Sequence, residues 1–418
     1  MDQIVSRKNM TKAYNRVVGN NGSSGIDGMS VDDLKCYLQG HWTEIKGALL
    51  RGDYYPQLVR QVEIPKPNGG VRLLGIPTVM DRLLQQAIHQ VLEPIFDPTF
   101  SDNSYGFRPN CSARKAVKQA KEYVRSGGRW IVNVDLSKFF DEVDHDRLLS
   151  KLRIKIADRR VIHLIERYLR VGVMNNGIEQ RREKGTPQGS PLSPLLSNIV
   201  LDELDKELEK RKHQFVRYAD DFQIYVGSKK AAERVMRSLE DFIENTLKLK
   251  VNKKKSTIER PWHTNFLGYS FTSQYETKLK VSKESISRFK MKVKELFRKG
   301  KGRNVGRFIQ ETLNPVIGGW MIYFSASDVK GFTQGLDQWI RRRLRKVIWQ
   351  QMKRNWTRFK ALIRRGLSEQ RAAQSAFNKR GPWWNSGSSH MNEAYSKRYF
   401  ELIGLLSLKQ AHSKYYSI

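Results

Sequence analysis

The sequence predicts an α+β protein, with a mixed body of helices and strands over about the first 275 residues and a helical, basic region after it. Three observations lead to this prediction. An apolar stripe with helical spacing runs through residues 81–96. Apolar runs typical of strands occur at 130–135, 215–218 and 222–226. Beyond about residue 276 the pattern becomes helical and rich in Lys and Arg.

Length and composition exclude several classes of protein. The chain has 418 residues, 39% of them hydrophobic and 10% aromatic, which is enough for substantial cores in two to four domains and excludes wholesale disorder. No apolar run approaches the roughly 20 residues of a membrane span, and residues 1–11 lack the apolar segment of a secretory signal. Cys36 and Cys111 fit neither a disulfide framework nor a cysteine-based zinc site. We therefore expect a soluble, intracellular protein without a membrane partner.

The charge of the chain predicts a polyanionic partner. The net charge is +34, and residues 281–418 carry 29 Lys and Arg against 8 Asp and Glu. The densest stretch, 341–360, has nine basic residues and no acid, and it includes Trp349, Trp356 and Phe359. Interleaved cations and aromatic rings suit contact with phosphates and stacking on exposed bases. A solvated helix face with core tryptophans is the alternative for any single residue, but the segment as a whole favours nucleic acid.

Local patterns predict the order of the elements. In chain order we expect a turn-rich loop at 20–25, a helix over 81–96, a turn at 126–128, a buried strand over 130–135, a helix from Leu195 to the basic cluster at 210–212, and strands at 215–218 and 222–226 joined by a turn at 219–221. A Gly-, Pro- and Ser-rich stretch at 378–389 favours a second boundary in the basic region.

Carboxylates at the strand ends are the first sign of chemistry. Asp135 ends one predicted strand, and Asp220 and Asp221 lie in the turn between two others. An isolated aspartate in such a place is usually a turn former. Adjacent carboxylates repel each other unless a cation is present, and Mg²⁺ binds oxygen ligands while leaving positions open for substrate phosphates. A pair of such ions can stabilise the attacking and leaving oxygens of a phosphoryl transfer.

Several sequence blocks, found in one order, resemble the reverse transcriptases encoded by bacterial group II introns, the intron maturases. The blocks are EIPKPNGGVR at 63–72, SYGFRP at 104–109, VDLSKFFD at 134–141, GTPQGSPLSP at 185–194, YADD at 218–221, LKVN at 249–252 and FLGY at 266–269. They cover roughly residues 20–275, and the basic helical region after them resembles the maturase thumb.

The resemblance implies a right-hand polymerase with fingers, a ferredoxin-like palm, a helical thumb and a short basic C-terminal extension. Its implied activity is that of an RNA-directed DNA polymerase that also binds intron RNA as a maturase, aiding splicing and retrohoming. The expected divisions are fingers over 1–92 with 146–184, palm over 93–275, thumb over 276–365, and a C-terminal segment like a DNA-binding domain over 366–418.

The resemblance also implies the metal centre. Asp135 and Asp220 would be the ligands of two Mg²⁺ ions, for which Mn²⁺ could substitute, together with the backbone carbonyl of Leu136. Asp221 would be the adjacent supporting carboxylate. Such a site fits an in-line nucleotidyl transfer.

Residues around the incoming nucleotide follow from the same blocks. Lys66 and Arg72 would grip the triphosphate, because cations stabilise the charge on a leaving pyrophosphate. Phe140 would lie under the sugar and exclude a 2′-hydroxyl, which implies dNTPs as substrates. Gln188 would reach the nucleotide or template, and Gly189 would permit its close approach.

Other residues are expected to contact nucleic acid or to order the site. Ser190 replaces a glycine that many relatives carry, which affects template positioning. Arg108 would order the floor of the active site or touch the template. Nucleic acid would also be bound by the basic cluster of Arg341, Arg342, Arg343, Arg345 and Lys346.

The expected partners are structured intron RNA, an RNA template with a DNA primer, and dNTPs. No cysteine follows Cys111, and His390 and His412 are isolated, so we expect no His-Asn-His endonuclease and a primer that comes from elsewhere. Two alternatives stay open. One is an RNA-binding maturase with a vestigial polymerase site, and the other is a host-adopted reverse transcriptase acting in repair or defence.

Overall fold

The computed structural model describes residues 1–65, 70–175, 178–180, 184–186, 188–300 and 302–416. The chain forms two compact units, Met1–Arg260 and Pro261–Ile418. Across the described ranges, none of the helices has the length and apolar character needed to cross a membrane.

The two helices that the sequence predicts in the first unit, α3 (Val79–Phe96) and α8 (Ser193–Lys210), begin and end close to the expected residues. The predicted helix over 81–96 begins two residues earlier, because the Thr78 hydroxyl accepts a hydrogen bond from the backbone N–H of Asp81 and caps the helix. The helices are α1 (Arg7–Gly19), α2 (Leu34–Arg51), α3 (Val79–Phe96), α4 (Ala113–Arg125), α5 (Phe139–Glu142), α6 (His145–Lys155), α7 (Arg159–Arg170), α8 (Ser193–Lys210) and α9 (Lys229–Asp241).

The strands of the first unit form two sheets. They are β1 (Val59–Pro65), β2 (Val71–Ile76), β3 (Trp130–Asp135), β4 (Val173–Asn175), β5 (Ile178–Gln180), β6 (Gln214–Tyr218), β7 (Asp221–Val226) and β8 (Thr257–Glu259). One sheet has the order β2-β1-β4-β5, with β1 and β4 parallel. The other has the order β6-β7-β3-β8 and is antiparallel throughout. The predicted strands in the second sheet are confirmed, with a shorter turn at 219–220.

One hydrophobic core supports the antiparallel sheet. Helices α3 and α8 carry apolar stripes that are almost fully buried, and β3 and β7 contribute side chains such as Val132 and Ile224 to the same cluster. Each fully buried aliphatic side chain stabilises the fold by about 1.5–3 kcal/mol. The sheet that ends in the carboxylates therefore stands on a rigid base.

The second unit begins with a small hairpin and continues as helices. Its strands are β9 (Tyr269–Phe271) and β10 (Leu279–Val281), and its helices are α10 (Lys283–Lys299), α11 (Val305–Arg307), α12 (Asn314–Tyr323), α13 (Gly331–Gln351), α14 (Asn355–Arg364), α15 (Glu369–Ala376), α16 (Pro382–Gly387), α17 (Ser389–Ala394), α18 (Lys397–Leu402) and α19 (Leu408–Tyr416).

The C-terminal helices pack on the central helix of this unit. Helices α16 and α19 lie against α13, and the Asp337 carboxylate accepts hydrogen bonds from the N–H groups of Leu408 and Lys409 at the start of α19. The stretch 378–389, which the sequence favours as a boundary, contains α16 and lies inside this unit. The division at residue 366 stays a prediction.

Candidate active site and nucleic-acid interface

The β6–β7 hairpin brings the predicted carboxylates to one end of the sheet. In the β3–β7 ladder Asp135 lies opposite Asp221, and Asp220 is in the turn that precedes Asp221. Ala219, the other turn residue, has a φ of 58°, in the left-handed region. The antiparallel register thus joins residues that are far apart along the chain, as the sequence interpretation requires.

The electrostatics of these carboxylates favour a bound cation. Desolvation, with repulsion from Asp135, raises the pKa of the Asp220 carboxyl, while Arg72 opposes that rise. Desolvation and repulsion from Asp220 and Asp135 raise the pKa of Asp221 as well. Asp221 is nevertheless exposed to solvent, so it is a carboxylate surrounded by protein but open to water on one side. A divalent cation would relieve this mutual repulsion.

Three contacts that the sequence interpretation missed hold Asp135 in place. The Asn252 amide donates to its Oδ2 at 2.9 Å, and the Lys255 ammonium lies 3.6 Å from the same oxygen. The Ser256 hydroxyl accepts from the backbone N–H of Asp135 at 3.1 Å. Asn252 is the last residue of the recognised block at 249–252, and Lys255 and Ser256 follow it, so the block marked the region without revealing the contacts.

The donors at this site fit a divalent cation bound with substrate. Among the residues that the structure describes, no group of three or more His, Cys, Asp or Glu side chains is arranged as a metal site. Mg²⁺ needs less than that from a protein, since one or two carboxylates with substrate phosphates complete its shell. Asp135 and Asp220 act on each other electrostatically, and they supply such a pair.

The β1–β2 hairpin carries the predicted triphosphate grip. Arg72 is exposed in β2, opposite Ile64 of β1, and its charge acts on Asp220. The structure therefore brings Arg72 toward the carboxylates. Lys66 lies outside the described residues.

Phe140 is positioned by a short helix next to β3. Its neighbour Phe139 is 2% exposed and belongs to the core, whereas Phe140 is partly buried and packs edge-on against Phe139 at 5.3 Å between ring centroids. The carbonyl of Phe140 accepts from the N–H of Thr186 at 2.6 Å. This hydrogen bond connects Phe140, the residue predicted to exclude a 2′-hydroxyl, to the chain segment before Gln188.

The loop with Gln188 lies directly against β2. The Gln188 carbonyl accepts from the N–H of Gly75 at 2.8 Å. Gly189 has a φ of 110°, and a Cβ there would come within 2.7 Å of the Gly75 carbonyl, so glycine is required for this approach. Ser190 is buried and its hydroxyl donates to the Gln85 side chain, so it anchors the loop to α3.

The Arg108 guanidinium makes its contacts within the protein, which favours the ordering role, and a contact with the template stays a prediction. The guanidinium donates to the Asp97 carboxylate at 2.7 Å and to the carbonyls of Ser101 and Ser104. It also lies 5.5 Å from the Phe100 ring centroid. Arg108 thus orders the chain before the recognised block at 104–109.

Helix α13 carries the predicted basic cluster, and one member needs a correction. Arg345 is only 7% exposed, and its Nε donates to the Tyr395 carbonyl at 2.9 Å. Burial lowers the pKa of Arg345 to about 10. Arg345 therefore holds the fold of this unit and does not face nucleic acid, because α13 turns that side of the helix inward.

Tryptophans of this unit stack on other arginines of the cluster. The Arg342 guanidinium lies 4.2 Å from the Trp383 ring centroid, and Arg343 lies 4.7 Å from Trp339. Trp349 is 1% exposed, so for this residue the core alternative is correct. Stacked guanidinium groups keep their charge and are held in fixed orientations.

A basic cavity lies between α10 and α13. It has a volume of about 210 Å³ and is lined by Lys294, Phe297, Arg298, Arg343, Lys346, Val347 and Gln350. Within the described part of the chain, its lining holds four cations and no acid. Of the predicted cluster, Arg343 and Lys346 thus face a surface suited to a phosphate, and Arg341 is half-buried on the same helix.

Two family models match the chain. Residues 64–271 match "Reverse transcriptase (RNA-dependent DNA polymerase)", and residues 286–366 match "Group II intron, maturase-specific domain". The first match contains the carboxylates of β3 and of the β6–β7 hairpin, and the second contains α10 and α13. The two matches therefore fall on the two candidate surfaces.

Similar proteins agree with these matches. "Protein YkfC" of Escherichia coli (strain K12) is 33% identical over 287 residues, which are 59% of this chain and 74% of that protein. "Group II intron-encoded protein LtrA" of Lactococcus lactis subsp. cremoris is 34% identical over 330 residues, with 62% of this chain and 54% of LtrA covered. The chain thus spans about half the length of LtrA. A solved structure titled "Partial Cas6-RT-Cas1--Cas2 complex" is 26% identical with a TM-score of 0.38 and covers 59% of this chain and 42% of that one.

Proposed function

The chain belongs to the reverse transcriptase family and carries a group II intron maturase-specific domain, and from this we propose that it copies RNA into DNA and also binds intron RNA as a maturase. The observation that supports the polymerase activity most directly is the β3–β7 register, which sets Asp135 beside the Asp220 turn. Asp135, Asp220 and Asp221 are all present, which argues against a vestigial polymerase site.

The proposed reaction is nucleotidyl transfer at Asp135 and Asp220. Two divalent cations, Mg²⁺ with Mn²⁺ as a substitute, would stabilise the attacking and leaving oxygens when bound. Asp135, Asp220 and the Leu136 carbonyl would hold them, and Asp221 would support Asp220. Asn252 keeps the Asp135 carboxylate in one orientation through its amide.

The nucleotide and template would lie between the β1–β2 hairpin and the carboxylates. Arg72, with Lys66, would bind the triphosphate, and the charge of Arg72 acts on Asp220, which supports this role for Arg72. Phe140 would exclude ribonucleotides. Gln188 would reach the nucleotide or template, and Gly189 would permit its close approach, from a loop that is hydrogen-bonded to β2.

The proposed partners are structured intron RNA, a primed RNA template and dNTPs, in the bacterial cytoplasm. The basic residues of α10 and α13 would bind the nucleic-acid backbone, as the cavity of four cations supports. Splicing assistance would then depend on the second unit, and DNA synthesis on the first.

Primer extension tests the proposed polymerase activity. Replacing Asp220→Ala removes a metal ligand, so extension of a DNA primer on an RNA template with dNTPs and Mg²⁺ should fall by more than about a thousandfold, since a bound metal contributes several kcal/mol of charge stabilisation. RNA affinity, measured by filter binding, should stay within about twofold of the unaltered chain, because the phosphate contacts remain.

Asp241→Ala is the matched control, because Asp241 is an exposed aspartate at the end of α9, outside the site. It should leave extension unchanged. Extension by the Asp220→Ala chain at the normal rate would refute the metal assignment, and absence of extension by the unaltered chain would favour the maturase without polymerase activity.

A further inference from the structure

A buried ion pair lies beneath the catalytic hairpin. Arg217, in β6, is fully buried and lies three residues before Asp220. Its Nε and one terminal nitrogen donate to the two carboxylate oxygens of Asp205 on α8, at 2.7 and 2.5 Å. A bidentate, charge-assisted pair of this kind fixes the plane of the guanidinium. The hairpin is thereby joined to a core helix.

The other terminal nitrogen of Arg217 reaches the turn itself. It donates to the carbonyl of Ala219 at 3.0 Å and to the Asn198 side-chain oxygen at 3.0 Å. Ala219 has a left-handed φ of 58°, which costs a residue with a Cβ roughly 1–2 kcal/mol. The Ala219 carbonyl belongs to the peptide that begins Asp220, so this hydrogen bond sets the orientation of that peptide.

Residues 103–106 also pack against the hairpin and restrict its position. The Arg217 backbone N–H donates to the Asn103 carbonyl, and the Tyr105 N–H donates to the Arg217 carbonyl, both at 2.9 Å. A Cβ on Gly106 would come within 2.4 Å of the Ala219 nitrogen, so this segment touches the turn closely. The Asn198 amide donates to the Gly106 carbonyl at 2.9 Å and joins both supports.

Stability alone does not explain a buried charge at this place. An apolar pair of similar volume is often as stable as a buried ion pair, because desolvation offsets the attraction. We propose that Arg217 is a positioning residue, whose guanidinium, held by Asp205 and Asn198, fixes the Ala219 carbonyl and through it the Asp220 carboxylate beside Asp135. Arg217 is fully buried, so it does not touch the substrate and is not a catalytic residue. This inference rests on the proposed polymerase function.

Arg217→Lys is the first test, because a lysine ammonium cannot reproduce the planar fork that bonds Asp205, Asn198 and the Ala219 carbonyl together. The expected result is a fall in kcat of about 10- to 100-fold, the usual effect of misplacing a catalytic group by an ångström or less. KM for dNTPs should stay within about twofold. Hydrogen–deuterium exchange should become faster at the amides of 218–222, and stay unchanged elsewhere.

Arg147→Lys is the matched control. One terminal nitrogen of Arg147 donates to both carboxylate oxygens of Glu203, which is also on α8, and the other donates to the Thr246 carbonyl and not to the hairpin turn. The control should change neither kcat nor exchange at 218–222. A second variant, Arg217→Met with Asp205→Leu, replaces the ion pair by apolar side chains and should keep the melting temperature while losing kcat as Arg217→Lys does.

The outcomes separate this inference from the proposed function. Normal kcat and normal exchange in Arg217→Lys, or normal kcat in the double variant, would overturn the positioning role. Faster exchange across the whole chain would overturn it too, because the pair would then only stabilise the fold. If the unaltered chain extends no primer, the proposed function is wrong. Hydrogen–deuterium exchange at residues 218–222 is then the only test of the positioning role of Arg217.

Discussion

Phe139 and Phe140 are adjacent aromatic residues with different degrees of burial. Phe139 is buried in the hydrophobic cluster, whereas Phe140 is only partly buried and packs against that cluster. The short helix α5, which starts after Lys138 in a left-handed conformation, sets this difference. A change at Phe140 can therefore alter selectivity without opening a cavity in the core.

We expect Phe140→Ala to admit ribonucleotides, because it removes the ring that would meet a 2′-hydroxyl. The ratio of kcat/KM for dNTP over rNTP, measured by single-nucleotide extension, should fall roughly tenfold or more. Phe140→Tyr keeps the ring and should keep the ratio. An unchanged ratio in the alanine variant would remove Phe140 from the gate.

Sequence reasoning finds the candidate ligands but misses the residues that hold them, for a physical reason. Asp135 stands out because it ends an apolar strand, and Asp220 because it lies with a second aspartate in the turn between two apolar strands. Asn252 bonds Asp135 across 117 positions, and no local pattern reveals such a pairing. The sequence does contain a signal for Arg217 and Asp205. Arg217 is a charge inside an apolar strand, and Asp205 is an acid on the apolar stripe of a helix. Because buried charges need partners, such residues are candidates for an ion pair.

At the scale of elements, α13 presents different faces to different partners. Arg345 points into the unit, Arg342 and Arg343 stack on tryptophans, and Lys346 lines the basic cavity with Lys294 of α10. A count of charges predicts the polyanion correctly but cannot assign these faces, because the helix is basic around much of its circumference. Only the packing shows which of these cations stabilise the unit and which face a surface suited to nucleic acid.

The basic cavity predicts a change in salt dependence. Lys294→Gln with Lys346→Gln should weaken RNA binding and reduce the slope of log affinity against log salt by about 2, one for each lost phosphate contact. Lys409→Gln with Lys414→Gln, exposed lysines of α19, is the control and should change the slope less. Equal slopes for both pairs would mean that the cavity holds no phosphate.

At the scale of the molecule, the C-terminal helices are part of the second unit. Phe400 and Leu408 are fully buried, Tyr395 bonds Arg345 through its carbonyl, and Asp337 caps α19. The sequence predicted a short basic segment like a DNA-binding domain, and its apolar residues are scattered among breaks at Gly, Pro and Ser. Contacts with residues far away in the sequence attach this segment to the rest of the second unit, and no local pattern reveals them.

Removing residues 366–418 should therefore destabilise the second unit. Several buried side chains would be lost at about 1.5–3 kcal/mol each, which together approach the whole stability of a typical domain. Thermal unfolding followed by circular dichroism should lose or lower the transition of that unit. Phe377→Ala, at an exposed position of the same segment, should leave it unchanged. An unaffected transition in the shortened chain would indicate an independent tail.

The order of the palm strands has a consequence for biosynthesis. β3 lies between β7 and β8, and its ladder with β8 ends at Glu259, so both edges of β3 are covered only after about 260 residues have left the ribosome. At roughly 5–20 residues per second, β3 waits several seconds for β7 and β8 to emerge. During that interval its unpaired edges can join another nascent chain, and slower translation lengthens the exposure. Yield from an expression host should thus depend on codon choice between residues 136 and 260.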